Sequence, residues 1–258
     1  MTGLHLRLCL AGTAALIATM AVAQQADNKG SAPPVTEPAT AKPFQLVVYG
    51  AFWRMMHLQD YSPKVRLSSV MDAGVTEAVG AAAGLRGEIT AIGGKLLLSY
   101  GASCQACGDP GSDDATLLVG ARVTAWHPPI VLPSDLAGQE LGTFIIERAK
   151  AAGLDTAKPF PLRITGTLLG VKMHVLRGAG SRSHGQGSGH PAADRQDIAA
   201  GRTEGEVVGF HAPEPLRGVI THPGEAFHYH WVDLDRTRTT HLDAFGMSKG
   251  AVLLLPKP

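Results

Sequence analysis

The segment Ala226-Phe227-His228-Tyr229-His230-Trp231-Val232 alternates with a period of two. In a strand, residues two apart share a face, so His228 and His230 point one way and Phe227, Tyr229 and Trp231 the other. The aromatic face suits a core. The histidine face offers two imidazoles to one cation. His241 follows after a polar stretch, residues 233–240, that can turn the chain back and bring a third imidazole from a neighbouring strand. Three neutral histidines with an open fourth position form the ligand set of a catalytic zinc site, where water or substrate fills the opening. Imidazole also serves other first-row metals, and an H-x-H pair alone also occurs as surface decoration. Asp233 and Asp243 fit either as acceptors for ring N–H groups or as turn residues. His184, His190, His211 and His222 read as loop and strand-end histidines, with extra metal contacts as the alternative.

The elements that must position these groups are mostly strands. Residues 44–50, 116–126, 205–210, 218–222, 226–234 and 251–255 read as strands, and 84–100 as a hairpin around Gly93-Gly94. Residues 160–177 read as two strands around Gly166. Helical spacing predicts a short helix or two over 65–83. It also predicts a long one over 136–152, with Leu141, Phe144, Ile145 and Ala149 on one face and Gly153 as its stop. Residues 178–196, rich in Gly, Ser, His and Arg, read as a mobile loop. The expected fold class is α+β, strand-rich, with mixed or antiparallel sheets in two packed subdomains (44–177 and 196–256) and one or two main helices.

Composition bounds the rest. A chain of 258 residues with 45% hydrophobic and 17% charged residues can bury a sizeable core. Its formal net charge of +1 gives no reason to expect nucleic acid or an acidic membrane surface as a partner. Arg7, the apolar run 8–20 and the small-x-small site Ala21-Val22-Ala23 predict a secretory signal peptide over 1–23. The protein is then exported, periplasmic or secreted, with no membrane contact after cleavage. Residues 24–43 read as a disordered lead-in. Cys104 and Cys107 sit in Ser-Cys-Gln-Ala-Cys-Gly, followed by Asp109-Pro110-Gly111. In an oxidising compartment this pair reads as a local disulfide, with a redox pair or half a zinc site as alternatives.

The histidine segments resemble the bacterial acetolactate decarboxylases. The resemblance rests on residues 227–233 together with Thr240-His241-Leu242-Asp243. Residues 207–213, 216–220, 85–89 and 164–168 support it in the same order along the chain. It implies the decarboxylase fold over about residues 44–255. It also implies one zinc ion at His228, His230 and His241, and conversion of 2-acetolactate or a close 2-hydroxy-3-oxo acid to acetoin and carbon dioxide. There the metal acts as a Lewis acid for the enediolate. Glu88, after Gly87, takes the place of a proton-handling glutamate. The family's substrate-binding arginine falls on His174, with Arg177 and Arg163 as shifted replacements. A glutamate of the family's tail has no counterpart beyond His241, which leaves Glu225 or Glu206 as candidates. By resemblance alone, a homodimer is expected. The alternatives are an enzyme of altered chemistry on the same scaffold and a non-catalytic exported metal-binding protein.

Overall fold

The structure is a computed structural model and describes residues 44–100, 111, 113–179 and 193–257. The expected signal peptide, the lead-in to residue 43 and the Cys104–Cys107 pair lie outside the described residues. The first half of the chain runs β1 (Phe44–Tyr49), α1 (Phe52–Leu58), β2 (Val65–Arg66), α2 (Leu67–Asp72), β3 (Glu77–Ala82), β4 (Glu88–Ile92), β5 (Lys95–Ser99) and β6 (Asp114–Val123). The second runs β7 (Ile130–Val131), β8 (Leu136–Ala137), α3 (Gly138–Ala151), β9 (Phe160–Ala179), β10 (Ala193–His211), β11 (Phe227–Val232), β12 (Thr239–Met247) and β13 (Val252–Leu254). The strands make two antiparallel sheets, one ordered β1-β6-β3-β4-β5 with β2 on β6, the other β7-β13-β9-β10-β11-β12-β8. An added β9–β12 pairing closes β9, β10, β11 and β12 into a ring. The fold is α+β and strand-rich, and the division between sheets falls between Val123 and Ile130.

The sheets pack through apolar side chains of alternating residues. Val79, Ile92 and Val119 of the first meet Val208, Phe210 and Val232 of the second. Fully burying a side chain of this kind contributes about 1.5–3 kcal/mol. The helix α3 covers the second sheet with Leu141, Ile145 and Ala149, four residues apart and all buried. Glu140 in its first turn and Arg148 and Lys150 in its last suit the helix dipole. Gly153, at φ 82°, ends the turn that follows.

Several local expectations give way to tertiary pairing. Over 65–83 the α-helix is confined to Leu67–Asp72, and Glu77–Ala82 is a strand whose six residues are all buried. Its small residues are needed because β6 passes close by: a Cβ on Gly80 would sit 2.2 Å from the Leu117 carbonyl oxygen. Burial on both faces removes the period-two pattern that marks a half-exposed strand. Residues 160–177 belong to one strand, not two. Gly166, at φ 153°, allows the chain to pass Ala251 without a break. The strand β10 already begins at Ala193, inside the stretch expected as a loop. Residues 218–222 form a turn, closed by the Gly218 N–H donating to the Thr221 carbonyl at 3.0 Å. The helix α1 was not expected.

A buried ion pair links the two sheets. Arg163 on β9 donates through Nε and Nη2 to both oxygens of Glu77 on β3, at 2.8 and 2.5 Å. Burial raises the Glu77 carboxyl above its ordinary value despite this partner. Arg163→Met is therefore expected to cost roughly 3–5 kcal/mol at neutral pH, because it strands a buried carboxylate. Without the guanidinium, the folded-state pKa of Glu77 rises further above its unfolded value. The loss should then be largest above that raised pKa and shrink as pH falls toward about 4. Adding Glu77→Gln should restore most of the stability. Urea unfolding between pH 4 and 8 checks this, and an unchanged midpoint for Arg163→Met across that range would exclude it.

Candidate metal centre

Register brings the imidazoles together. His230 on β11 faces His241 on β12, and His241 in turn faces His174 on β9. His228 lies two residues back along β11, on the same face as His230. Ring centroids of His228, His230 and His241 lie 5.0–5.3 Å apart. One nitrogen from each of the three lies within 4.8 Å of the others. The opposite face of β11 packs Phe227, Tyr229 and Trp231 into the core of the second sheet.

All three rings are buried, and burial opposes their protonation. It pushes the His228 imidazole down to about 3, and those of His230 and His241 well below the ordinary histidine value. Neutral rings are what metal ligation requires. Hydrogen bonds orient two of them. His228 Nδ1 donates to the Ile220 carbonyl at 3.0 Å, which leaves Nε2 as the lone-pair nitrogen. His230 Nδ1 pairs with Thr90 Oγ1 at 2.9 Å, and Thr90 Oγ1 meets Thr239 Oγ1 at 2.5 Å. His230 Nε2 is buried and has no hydrogen-bond partner among the described residues. An orphaned ring nitrogen beside two other neutral imidazoles fits a cation. The donor set therefore suits the single zinc ion that the resemblance implies.

Beside this cluster stands Glu88, at the start of β4 and 2% exposed. Gly87 before it allows the close approach of β5, since a Cβ there would lie 2.1 Å from the Ser99 carbonyl oxygen. Glu88 Oε1 accepts from the Leu176 N–H at 3.1 Å, and its oxygens lie 3.8 Å from His174 Nε2 and 3.7 Å from His230 Nε2. Burial raises its carboxyl to about 7, with the His174 charge and the Leu176 N–H opposing the rise. His174 Nδ1 donates to Asp243, both of whose oxygens lie at 3.0 Å. Arg195 Nη1 lies 3.7 Å from the same carboxylate. His174, His241 and Asp243 form a second group with ligand-type atoms within 4.8 Å.

A cavity of about 620 Å³ opens onto Glu88, His174, Arg195, His222, His228 and His241, while fully buried His230 lies beneath. Arg177 is not among its lining residues and pairs with Asp194 at 3.0 Å. Arg163 is held by Glu77, and Glu206 by Arg236. Glu225 borders a separate cleft beside α3. Asp233 is a turn residue: it accepts the N–H groups of Thr237 and Arg238 at 2.7 and 2.9 Å. His211 is held between the carbonyls of Ala226 and Thr156, and His184 and His190 lie outside the described residues.

One charged lining residue, Arg195, carries no local signal in the sequence. Arg195 sits in a stretch without periodicity, and only its pairing opposite Leu176 turns it toward the cavity. His222, a strand-end histidine by its sequence with a metal contact as the alternative, lines the cavity beside the three imidazoles. Its ring packs 4.3 Å from Phe52 and 5.6 Å from His241.

No protein-family profile and no curated protein sequence matches this chain. Solved structures do. The α-acetolactate decarboxylase of Bacillus subtilis strain 168 superposes with a TM-score of 0.64 at 14% identity, covering 83% of this chain and 86% of that one. The enzyme from Bacillus subtilis subspecies spizizenii gives the same values. A Staphylococcus aureus protein of unknown function, described as similar to α-acetolactate decarboxylase, superposes at 0.62 with 16% identity, covering 82% and 85%. At these identities the likeness is one of architecture, and the chain has the acetolactate decarboxylase-like fold.

Proposed function

We propose that this protein is a zinc-dependent carboxy-lyase acting on 2-acetolactate or a close 2-hydroxy-3-oxo acid, releasing carbon dioxide and acetoin or its homologue. The observation that carries this reading is the convergence of three neutral imidazoles on one point, with two of them, His228 and His241, and the buried Glu88 carboxyl lining a single cavity. His228, His230 and His241 would hold the metal. Zinc bound there supplies Lewis acidity toward the substrate's oxygens. Glu88, buried beside His230 Nε2 and held at about 7 in the metal-free chain, is placed to give a proton to the carbon that loses carbon dioxide. That proton fixes one face of the product. Arg195, whose Nε pairs with Asp197 at 2.8 Å and whose Nη1 faces Asp243 at 3.7 Å, borders the cavity and offers its remaining N–H groups to the substrate carboxylate, the task the resemblance had given to His174 or Arg177. Asp243 then serves to orient the His174 ring against Glu88.

The decisive test incubates the purified protein with 2-acetolactate and measures acetoin with and without a chelator. Chelator-sensitive release supports the proposal, while chelator-insensitive release or no turnover by zinc-loaded protein overturns it. Removal of metal should also lower the melting temperature. A site saturated a hundredfold above its dissociation constant contributes about 2.7 kcal/mol, or roughly 5–10 °C for a chain of this size. Equal melting temperatures with and without chelator would show that no tightly bound ion supports the fold.

A further inference from the structure

The cavity at the histidines has an apolar wall. Phe52, Met55 and Met56 of α1, Leu85 before β4, Leu117 of β6 and Leu176 of β9 line it. Phe52, Met55, Leu85 and Leu117 are themselves buried and form one cluster with Leu176 packed against it. This wall adjoins the polar residues directly: the Phe52 ring lies 5.1 Å from the His228 ring, and Leu176 carries the N–H that binds Glu88. The helix α1 is fixed in place. Its Phe52 and Trp53 N–H groups donate to the Val219 and Gly218 carbonyls at 3.0 and 2.8 Å, and Gln59 closes it in the left-handed conformation. Trp53, Met56 and Leu58 leave apolar surface exposed on the same helix.

A volume of about 620 Å³ lies within the range of clefts that enclose drug-sized ligands. A five-carbon hydroxy-oxo acid fills only part of it. Polar groups that recognise an acid and an apolar wall beside them match an amphiphilic molecule with a charged head and a hydrocarbon arm. We infer that the site takes 2-hydroxy-3-oxo acids carrying a longer hydrocarbon arm in place of a methyl group, with the arm against α1. This rests on the carboxy-lyase reading. The bond to the carboxylate carbon breaks, carbon dioxide leaves, its electron pair stays on the substrate and a proton replaces the carboxylate; the arm is unchanged.

The test uses the zinc-loaded full chain and two readouts. Carbon dioxide release is measured on 2-acetolactate and on its analogue with hexyl in place of the C2 methyl. Calorimetry compares lactate with 2-hydroxyoctanoate, neither of which has a 3-oxo group. Each buried methylene contributes up to about fourfold, so the longer molecule should gain at least about tenfold in both kcat/KM and affinity. Met56→Asp at the exposed end of the wall and Met55→Trp within it should each reduce that ratio by about tenfold. Tighter binding of 2-hydroxyoctanoate without turnover of either substrate keeps the arm and overturns the decarboxylation. Turnover with equal values for short and long molecules keeps the decarboxylation and overturns the arm. A chain-length preference that survives both substitutions also overturns the arm.

Discussion

His241→Ala is expected to abolish metal binding and reduce acetoin formation by at least about a thousandfold. The side chain stands at the crossing of two strand pairings, opposite His230 on β11 and His174 on β9, and its nitrogen completes the three-imidazole group. Two imidazoles alone form an incomplete set for zinc, whose sites need three protein ligands when one position stays open. Zinc content by mass spectrometry should fall from about one ion per chain to near zero. Because alanine is smaller and removes a polar group from a buried position, the fold should survive, and circular dichroism tests that directly. Full zinc content with full activity in His241→Ala would end the case for a shared cation, and His228→Ala provides an independent repeat from β11.

Glu88→Gln is expected to lower kcat by about a hundred- to ten-thousandfold while zinc stays bound, because an amide keeps the shape but transfers no proton. Stability should move the other way. In the metal-free chain, burial raises the Glu88 carboxyl to about 7, above an unfolded value of about 4.3. The folded state therefore binds the proton more tightly than the unfolded one. The ionised carboxylate costs stability that grows as pH rises from about 4 to 7 and is constant above. Near pH 8, metal-free Glu88→Gln should unfold at higher denaturant than the parent, by roughly 3 kcal/mol, and the two should converge near pH 4. Denaturant titrations of both chains at these two pH values check the sign. A glutamine variant with unimpaired turnover would remove Glu88 from proton transfer.

Much of the candidate metal centre is legible in the sequence because it depends on local rules. The period-two alternation of residues 227–231 separates two histidines from three aromatics whatever the rest of the chain does. The long helix 138–151 and the hairpin 88–99 followed from equally local signals, a 3.6-residue apolar period and a Gly-Gly turn. Where long-range contacts override local preference, the local pattern misleads. Residues 77–82 look helical in isolation, yet β4 and β6 claim their backbone hydrogen bonds on both sides. Gly218–His222 is apolar enough for a strand but turns so that its carbonyls can hold α1 and the His228 ring.

The sequence by itself determined that His228 and His230 share a face, that a polar turn separates them from His241, and that the chain is strand-rich with one long helix. These are properties of neighbouring residues. Only the tertiary structure decided that His241 meets His230 in register, that Glu88 crosses from the other sheet, that Arg195 and not Arg177 borders the cavity, and that α1 supplies its apolar wall. Each of those pairs residues far apart in the chain. Their meeting depends on how two sheets close on each other, which no local pattern encodes.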